Sequence, residues 1–324
     1  MEKLDLQRQR VNDWMLEQGA CFAVVRQGQR QITQRPFDPI PRVLSAKTFT
    51  HLEQGLIQRI NALNIFLNDI YHDRMILRDR KIPEEFVLPS PDFRTQCMRI
   101  QPPKSVYTHI TATDLVCSTR GKWYAMEDSL SVPDGIAYPH FARKLCREIA
   151  PENYQVPELC DNCGLDILLR QLYRDIMDDD PELEGGIVVL LSQGKQDLSY
   201  FELCYMAKLT GAVVAEAEQL IVMDNKVYYQ APEGGFQRVA IIHRLALDSM
   251  LDPLCFDEDS PCGVPHLMEA YCAGHIAIIN APGCSLAEDR GLHYFIPTMI
   301  RYYLDEEPIL PNVPTFVPWY PDQK

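Results

Sequence analysis

The stretch DLVCSTRGKWYAME, residues 114–127, places β-branched and aromatic residues on both sides of a short turn-forming segment, TRGK. This pattern predicts a β-hairpin. If the turn is centred between Arg120 and Gly121, Asp114 lies opposite Glu127, because paired positions on the two strands then share the same sum. The hairpin therefore predicts two carboxylates that face each other on neighbouring strands.

Two interpretations of these carboxylates remain open. Directly opposed side chains lie roughly 4.5–5.5 Å apart at Cβ, where like charges are destabilising unless a cation lies between them. Mg²⁺ prefers one or two protein carboxylates together with substrate phosphates, so Asp114 and Glu127 are candidate metal ligands. Alternatively, they are exposed acids at strand ends with Lys or Arg neighbours.

The sequence on either side of the hairpin predicts a mixed α/β protein. Between Ser45 and Tyr71, apolar residues recur at spacings of three and four, which predicts a helix with one buried face (Phe49, Leu52, Leu56, Ile60, Leu63, Leu67, Ile70). Downstream, two strand–helix–strand patterns predict a small, mainly parallel α/β lobe. The first has strands at 187–191 and 212–215 and a helix at 198–209 closed by Gly211; the second has strands at 239–242 and 275–279 and a helix at 265–273.

Composition narrows the class of protein. The 324 residues include 31 Lys and Arg against 45 Asp and Glu, a net charge of -14, which disfavours nucleic acid as a partner. The charged first residues do not resemble a secretory signal, and no apolar run is long enough to span a bilayer. The 11 cysteines lack framework spacing, which favours buried thiols in a reducing compartment. We therefore expect a cytoplasmic protein without membrane segments.

Short catalytic motifs are absent from the sequence. Neither a P-loop nor a dinucleotide-binding G-x-G-x-x-G occurs, and no G-x-S-x-G or H-E-x-x-H is present. Cys160 and Cys163 form a single C-x-x-C, which leaves a metal or redox role as a weak alternative because a structural zinc site needs a second ligand pair. The eight histidines show no metal-ligand spacing, and His275 at the start of an apolar strand is interpreted as structural.

Longer sequence elements resemble the circularly permuted ATP-grasp proteins related to glutathionylspermidine synthetase. They occur in the family order over nearly the whole chain, from about residue 18 to 316. They are PFDPIPR (36–42), GLIQR (55–59), ALN (62–64), DIY (69–71), LDPL (251–254), DS (259–260), GVP (263–265), AG (273–274), NAPG (280–283), IRYYL (300–304), EPIL (307–310) and NVPT (312–315). Agreement over so many elements indicates common ancestry.

The resemblance implies a circularly permuted ATP-grasp-like α/β fold, with an antiparallel metal-binding hairpin beside the small lobe. Its divisions would be an ATP-grasp C-terminal-type portion at 1–180, a pre-ATP-grasp-like lobe at 181–316 and a tail at 317–324. It further implies a ligase that uses ATP and Mg²⁺ to join a small carboxylate to an amine or peptide through an acyl phosphate. The family's metal ligands map to Asp114, Glu127 and Ser129. Candidate substrate or phosphate contacts are Arg42, Arg59, Arg244 and Asp248. The alternative for the three arginines is ion pairing at the surface or the edge of the core, which is favoured for Arg59.

Departures from the family pattern bear on activity. Ser129 stands where the family has Asn, Cys117 and Ser131 stand at positions where Arg is common, and Leu245 and Leu247 interrupt the Arg244–Asp248 motif. The family also continues beyond Thr315 into a lysine-bearing nucleotide lobe. The chain alone is therefore expected to be incomplete or inactive, whether as a fragment, as half of a split enzyme completed by a separate lobe, or as a non-catalytic binding or scaffold relative that partners a complete paralogue.

Overall fold

The structure is a computed structural model that describes residues 2–26, 29–34, 36–155, 159–160, 164–178, 180–260 and 262–318. Within these ranges the helices are α1 (Glu2–Glu17), α2 (Ala46–Tyr71), α3 (Met75–Arg78), α4 (Ala137–Ile149), α5 (Leu165–Asp178), α6 (Tyr200–Thr210), α7 (Leu267–Cys272), α8 (Arg290–His293) and α9 (Ile296–Leu304). The strands are β1 (Cys21–Arg26), β2 (Gln29–Gln34), β3 (Ala112–Cys117), β4 (Trp123–Ser129), β5 (Ile187–Ser192), β6 (Val213–Glu216), β7 (Leu220–Met223), β8 (Lys226–Gln230), β9 (Phe236–Arg244) and β10 (Ala277–Ile279).

These elements form two compact units, each assembled from separate stretches of chain. The first unit comprises residues 1–43, 134–221 and 228–246, and the second comprises residues 44–133, 222–227 and 247–324. The division at residues 180 and 316 inferred from the family resemblance stays a prediction. Of the helices that the structure describes, none combines the length and the apolar character that crossing a membrane requires.

The first unit contains a mainly parallel sheet with the strand order β6-β5-β9-β8. β5 is parallel to both β6 and β9, whereas β8 and β9 are antiparallel. The predicted strand–helix–strand unit is confirmed: α6 links β5 to β6 and ends at Gly211, whose left-handed φ of 82° closes the helix. All three elements of the second predicted strand–helix–strand pattern form. Strand β9 belongs to the first compact unit, and α7 and β10 belong to the second.

The second unit is organised around the long helix α2. The predicted helix is confirmed, and Ser45 caps it by accepting a hydrogen bond from the Thr48 amide. Its predicted stripe is buried at Leu52, Leu63, Leu67 and Ile70. Phe49 was expected on the buried face and is instead 57% exposed, because it lies in the first turn of the helix beyond the surface that α2 buries.

A β-hairpin and a short stretch of chain after α9, residues 310–313 (the C-terminal segment), pack together on α2. The hairpin β3–β4 is antiparallel, and Ala125 of β4 exchanges backbone hydrogen bonds with Pro311 and Val313, so the C-terminal segment lies alongside β4. Leu52, Ala125 and Leu310 form a common buried cluster. This three-part contact fixes the hairpin on the helix.

Two polar side chains secure the base of the hairpin. Asn280 accepts hydrogen bonds from the amides of His109 and Ile110, ahead of β3, and donates to the Leu130 carbonyl, after β4. Glu288 accepts from the Ser131 amide at 2.6 Å and from the Ser131 hydroxyl at 2.9 Å. Both ends of the hairpin are therefore attached to the segment that carries residues 280–288.

Gly55 provides a test of the packing between α2 and the C-terminal segment. A Cβ built on Gly55 would lie 2.8 Å from the Leu310 Cβ, inside any normal carbon–carbon contact. Gly55→Ala gains up to about 1 kcal/mol in helix propensity, but we expect a net loss of about 1–3 kcal/mol from overpacking. Urea denaturation of Gly55→Ala measures this loss, and the exposed neighbour Gln54→Ala, expected within about 0.5 kcal/mol of the parent, is the control. A stabilised Gly55→Ala would show that the contact with Leu310 is loose.

Candidate functional site

The hairpin register brings Asp114 and Glu127 together. They are Cα partners, and Thr113 pairs with Asp128 beside them. Near the turn Cys117 pairs with Trp123, so the turn is centred on Arg120 rather than between Arg120 and Gly121. A register shift between Asp114 and Leu115 adds one residue to β4, and this bulge makes up the difference.

The bulge gives the end of the hairpin two chemically different faces. Thr113 donates a 2.9 Å hydrogen bond from its hydroxyl to Asp128, and the Asp128 side chain is buried. Because side chains alternate along a strand, Asp114 and Glu127 lie on the opposite face, and Ser129 shares it. Asp114 is exposed and makes no hydrogen bond or ion pair with any residue that the structure describes.

Behind this face lies a buried ion pair between Arg59 of α2 and Asp128 of β4. Arg59 Nε donates to both carboxylate oxygens at 2.9 and 3.0 Å, and Nη2 donates to Oδ2 at 2.7 Å. The remaining Arg59 contacts are to Asn312 Oδ1 at 2.7 Å and to His293 Nδ1 at 3.2 Å. The two charged side chains are 1% and 2% exposed. One guanidinium thus connects the helix, the hairpin, α8 and the C-terminal segment.

The pKa of Asp128 reflects this environment. Burial alone raises the pKa, but the hydrogen bonds that Arg59 and Thr113 donate and the positive charge of Arg59 outweigh it and lower the pKa to about 2. Arg59 lies within hydrogen-bond distance of the carboxylate, whereas His293 Nδ1 is 3.8 Å from Oδ2. Arg59 is therefore the main group that keeps Asp128 ionised.

A cleft of about 320 Å³ opens where the hairpin meets α8. It is lined by Met126, Glu127, Asp128, Ala287, Glu288, Arg290, His293 and Thr315. Arg290 is 87% exposed at its rim, and its guanidinium lies 3.5 Å from the half-buried Glu127 carboxylate. The small cleft is therefore lined by carboxylates, one long cationic side chain and an imidazole.

The sequence-predicted site residues are distributed over both units. Asp114, Glu127 and Ser129 share one hairpin face. Arg59 belongs to an ion pair, as its alternative interpretation predicted, but the pair is fully buried rather than at the surface or the edge of the core. Its role as a substrate contact stays a prediction. Asp248 is also buried, where it accepts hydrogen bonds from the Gly283 amide and the Ser285 hydroxyl, both at 2.9 Å.

Two other predicted contacts, Arg42 and Arg244, belong to the first unit and not to this cleft. Arg42 is exposed, and Arg244 is 1% exposed, with its guanidinium donating to the Ala246 carbonyl at 2.6 Å. Of the C-x-x-C pair, Cys160 is exposed and Cys163 lies outside the described residues. No disulfide joins the described cysteines, and none of the described His, Cys, Asp and Glu side chains form a group of three placed to hold a metal ion.

Sequence reasoning missed Asp128, Glu288 and His293. Alternation along a strand places Asp128 on the face opposite Glu127. No local sequence pattern indicates that this face is turned toward Arg59, 69 residues away in the chain, by a bulge in β4. His293 stood apart from any other histidine. A charged residue inside an otherwise apolar helix stripe, such as Arg59, is the one signal that could have pointed to a buried carboxylate partner.

Comparison with known proteins identifies the family. The sequence profile described as "Circularly permuted ATP-grasp type 2" matches residues 41–324. The chain belongs to this circularly permuted ATP-grasp family. An uncharacterized protein of Synechocystis is 38% identical over 302 residues, covering 93% of this chain and 62% of the relative. An uncharacterized protein of Mycobacterium tuberculosis is 35% identical over 312 residues, with coverages of 95% and 55%.

The chain is also similar to a ligase-named relative and to a solved structure. A putative glutamate–cysteine ligase of Frankia casuarinae is 33% identical over 290 residues, covering 89% of this chain and 33% of the relative. A glutathione synthetase-like effector from Globodera pallida has a similar fold, with a TM-score of 0.51 at 12% identity, covering 92% of this chain and 67% of the effector. The chain thus spans between 33% and 62% of the length of these three curated relatives.

Removing Arg59 should be strongly destabilising. Arg59→Met leaves the Asp128 carboxylate buried without its cation, for which we expect a loss of about 3–5 kcal/mol. The double variant Arg59→Met/Asp128→Leu should recover a large part of it, because no buried charge remains. Chemical denaturation measures both, with the exposed Arg78→Met as control. A loss below about 1 kcal/mol in the single variant would contradict a tightly buried pair.

The ion pair also predicts a pH dependence of stability. The pKa of Asp128 is lower in the folded protein, about 2, than its ordinary value of 3.8. Its contribution of about 2 kcal/mol is therefore complete above about pH 5 and is lost progressively as the pH falls toward about 2. The unfolding free energy of the wild type should fall more steeply in this range than that of Asp128→Asn. Parallel curves for the two proteins would mean that Asp128 does not titrate with folding.

Proposed function

We propose that this chain supplies the metal- and phosphate-binding part of an ATP-dependent carboxylate–amine ligase that acts through an acyl phosphate. The single observation that carries the proposal is the register that sets Asp114 opposite Glu127 on an open hairpin face, beside a cleft. Family membership and the resemblance to ligases support this use of the face. The substrates would be a small carboxylate and an amine or peptide.

The residues present fit a magnesium ion that arrives with a nucleotide. Asp114 and Glu127 provide two carboxylates, Ser129 provides a hydroxyl on the same face, and Mg²⁺ takes its other oxygens from phosphate and water. Asp128 is not available, because Arg59 and Thr113 donate to its oxygens. When bound, Mg²⁺ would neutralise charge on the transferring phosphoryl group.

The protein's own groups would control entry to this site. Arg290 is 3.5 Å from Glu127, so its guanidinium holds the carboxylate until a cation replaces it. Once released, the long exposed Arg290 side chain can reach an anionic ligand in the cleft. The Glu127 carboxylate, which lies opposite Asp114, would thus be neutralised in both states. Arg290 pairs with it before the cation binds, and the cation pairs with it afterwards.

A second candidate function is a non-catalytic binding relative that partners a complete ligase or a separate nucleotide lobe. Ser129 favours it, since a serine hydroxyl is a shorter and weaker oxygen ligand than the asparagine typical of the family. Ser131, at a position where arginine is common, instead donates to Glu288 inside the fold. These two positions reduce the capacity of the face to hold a metal and a phosphate together.

Titration with Mn²⁺ as a paramagnetic substitute for Mg²⁺ tests the proposal. We expect saturable Mn²⁺ binding that ATP strengthens, and the double variant Asp114→Asn/Glu127→Gln should weaken it by more than the roughly 10- to 100-fold that loss of an outer-shell partner costs. The exposed acid Asp73→Asn is the matched control. Equal Mn²⁺ affinity in the double variant and the control would refute the site. Mn²⁺ binding without any effect of ATP would favour the non-catalytic candidate.

A further inference from the structure

The two ring nitrogens of His293 have very different surroundings. Nδ1 lies 3.2 Å from Arg59 Nη2. Nε2 exposes less than 1 Å² and has no hydrogen-bond partner among the residues that the structure describes. The whole residue is 8% exposed and lines the cleft. His293 thus lines the proposed site and carries a buried polar atom that has no partner among the described residues.

The distances around Nδ1 favour one tautomer of this imidazole. A guanidinium only donates hydrogen bonds, so the Arg59 contact assigns Nδ1 as the acceptor and the proton of the neutral ring to Nε2. The opposite tautomer would turn an Nδ1–H toward the N–H of Arg59. Its alternative acceptor, Asp128 Oδ2, is 3.8 Å away, too far for a hydrogen bond. Nε2 is therefore a donor.

A donor at Nε2 restricts what the cleft can present to it. A metal ion would need the lone pair that the proton occupies, so the missing partner is an acceptor atom. A buried donor without a partner costs free energy, and few such groups occur in native proteins. The cleft of about 320 Å³ is many times the roughly 10–15 Å³ that one water needs on this measure, so a larger group fits.

We propose that the Nε2–H of His293 binds an anionic oxygen, phosphoryl or carboxylate, of a ligand held in the cleft between Glu127 and Arg290. The inference deepens the proposed function and rests on it, because the carboxylates of Glu127, Asp128 and Glu288 repel an anion unless a cation accompanies it. Arg290 supplies a second, charged donor at the rim. Since Nε2 is covered, the cleft wall must shift to admit the ligand.

Two near-isosteric variants of His293 test the roles of Nδ1 and Nε2 separately. His293→Asn keeps an acceptor oxygen for Arg59 but places no donor at the position of Nε2. His293→Gln carries an amide N–H at that position. His51→Asn, an exposed histidine of α2, is the control. Calorimetric titrations of the full chain with ATP, and separately with L-glutamate, both at saturating Mg²⁺, distinguish the phosphoryl from the carboxylate source.

We expect His293→Asn to weaken binding of at least one probe by roughly tenfold or more, with His293→Gln and His51→Asn close to the wild type. Long-range ¹⁵N–¹H spectra of histidine-labelled protein should show the proton of His293 on Nε2 and a shift of that nitrogen when the probe binds. The shift of Nε2 on binding does not depend on activity, and a purely structural role of His293 would not produce it.

Several results would overturn the inference. These are a proton on Nδ1, loss of the Nε2 proton on adding Mg²⁺ alone, unchanged affinity in His293→Asn, and failure of both probes to bind the wild type. Unchanged affinity with the proton on Nε2 would mean that the atom serves only an ordered water. Mn²⁺ affinity in the Asp114→Asn/Glu127→Gln variant reports separately on the proposed function, so failure of the metal site and failure of the His293 contact are distinguishable.

Discussion

The ion pair between Arg59 and Asp128 is the interaction on which the second unit depends. From its position on α2, the Arg59 guanidinium contacts the hairpin, the C-terminal segment through Asn312, and α8 through His293. A pair buried this deeply gains little net stability over an apolar replacement, since both charges lose their hydration. Its directional contacts instead fix how three segments distant in sequence meet. We interpret it as a device for specifying geometry.

That geometry explains why the acidic face is exposed. For Asp128 to reach Arg59, β4 must turn this side chain inward. The bulge within β4, between Ala125 and Glu127, allows this while Ala125 stays packed on Leu52 and Leu310. The same bulge turns Glu127 outward, opposite Asp114. The buried cation and the outward carboxylates are thus two consequences of one irregularity in β4.

Local patterns predicted much of the fold and less of the site. The period of apolar residues predicted α2, and turn chemistry predicted the hairpin and its opposed carboxylates, because both depend on neighbours in sequence. The ion pair and the environment of His293 depend on contacts between residues 69 and 234 positions apart, which no local pattern encodes. The observed turn centre is also displaced by half a residue from the predicted one, and the bulge restores the pairing of Asp114 with Glu127.

The charge of Arg59 also limits how a cation could be held. Because Asp128 is committed to Arg59 and Thr113, the hairpin face offers two carboxylates and one hydroxyl, too few to enclose a divalent ion. Most of the coordination must then come from water and from the ligand itself. The metal would need the anion for oxygen ligands. The anion would need the metal to offset its electrostatic repulsion by three carboxylates. In this arrangement His293 and Arg290 would recognise the anion while Asp114 and Glu127 recognise its counterion.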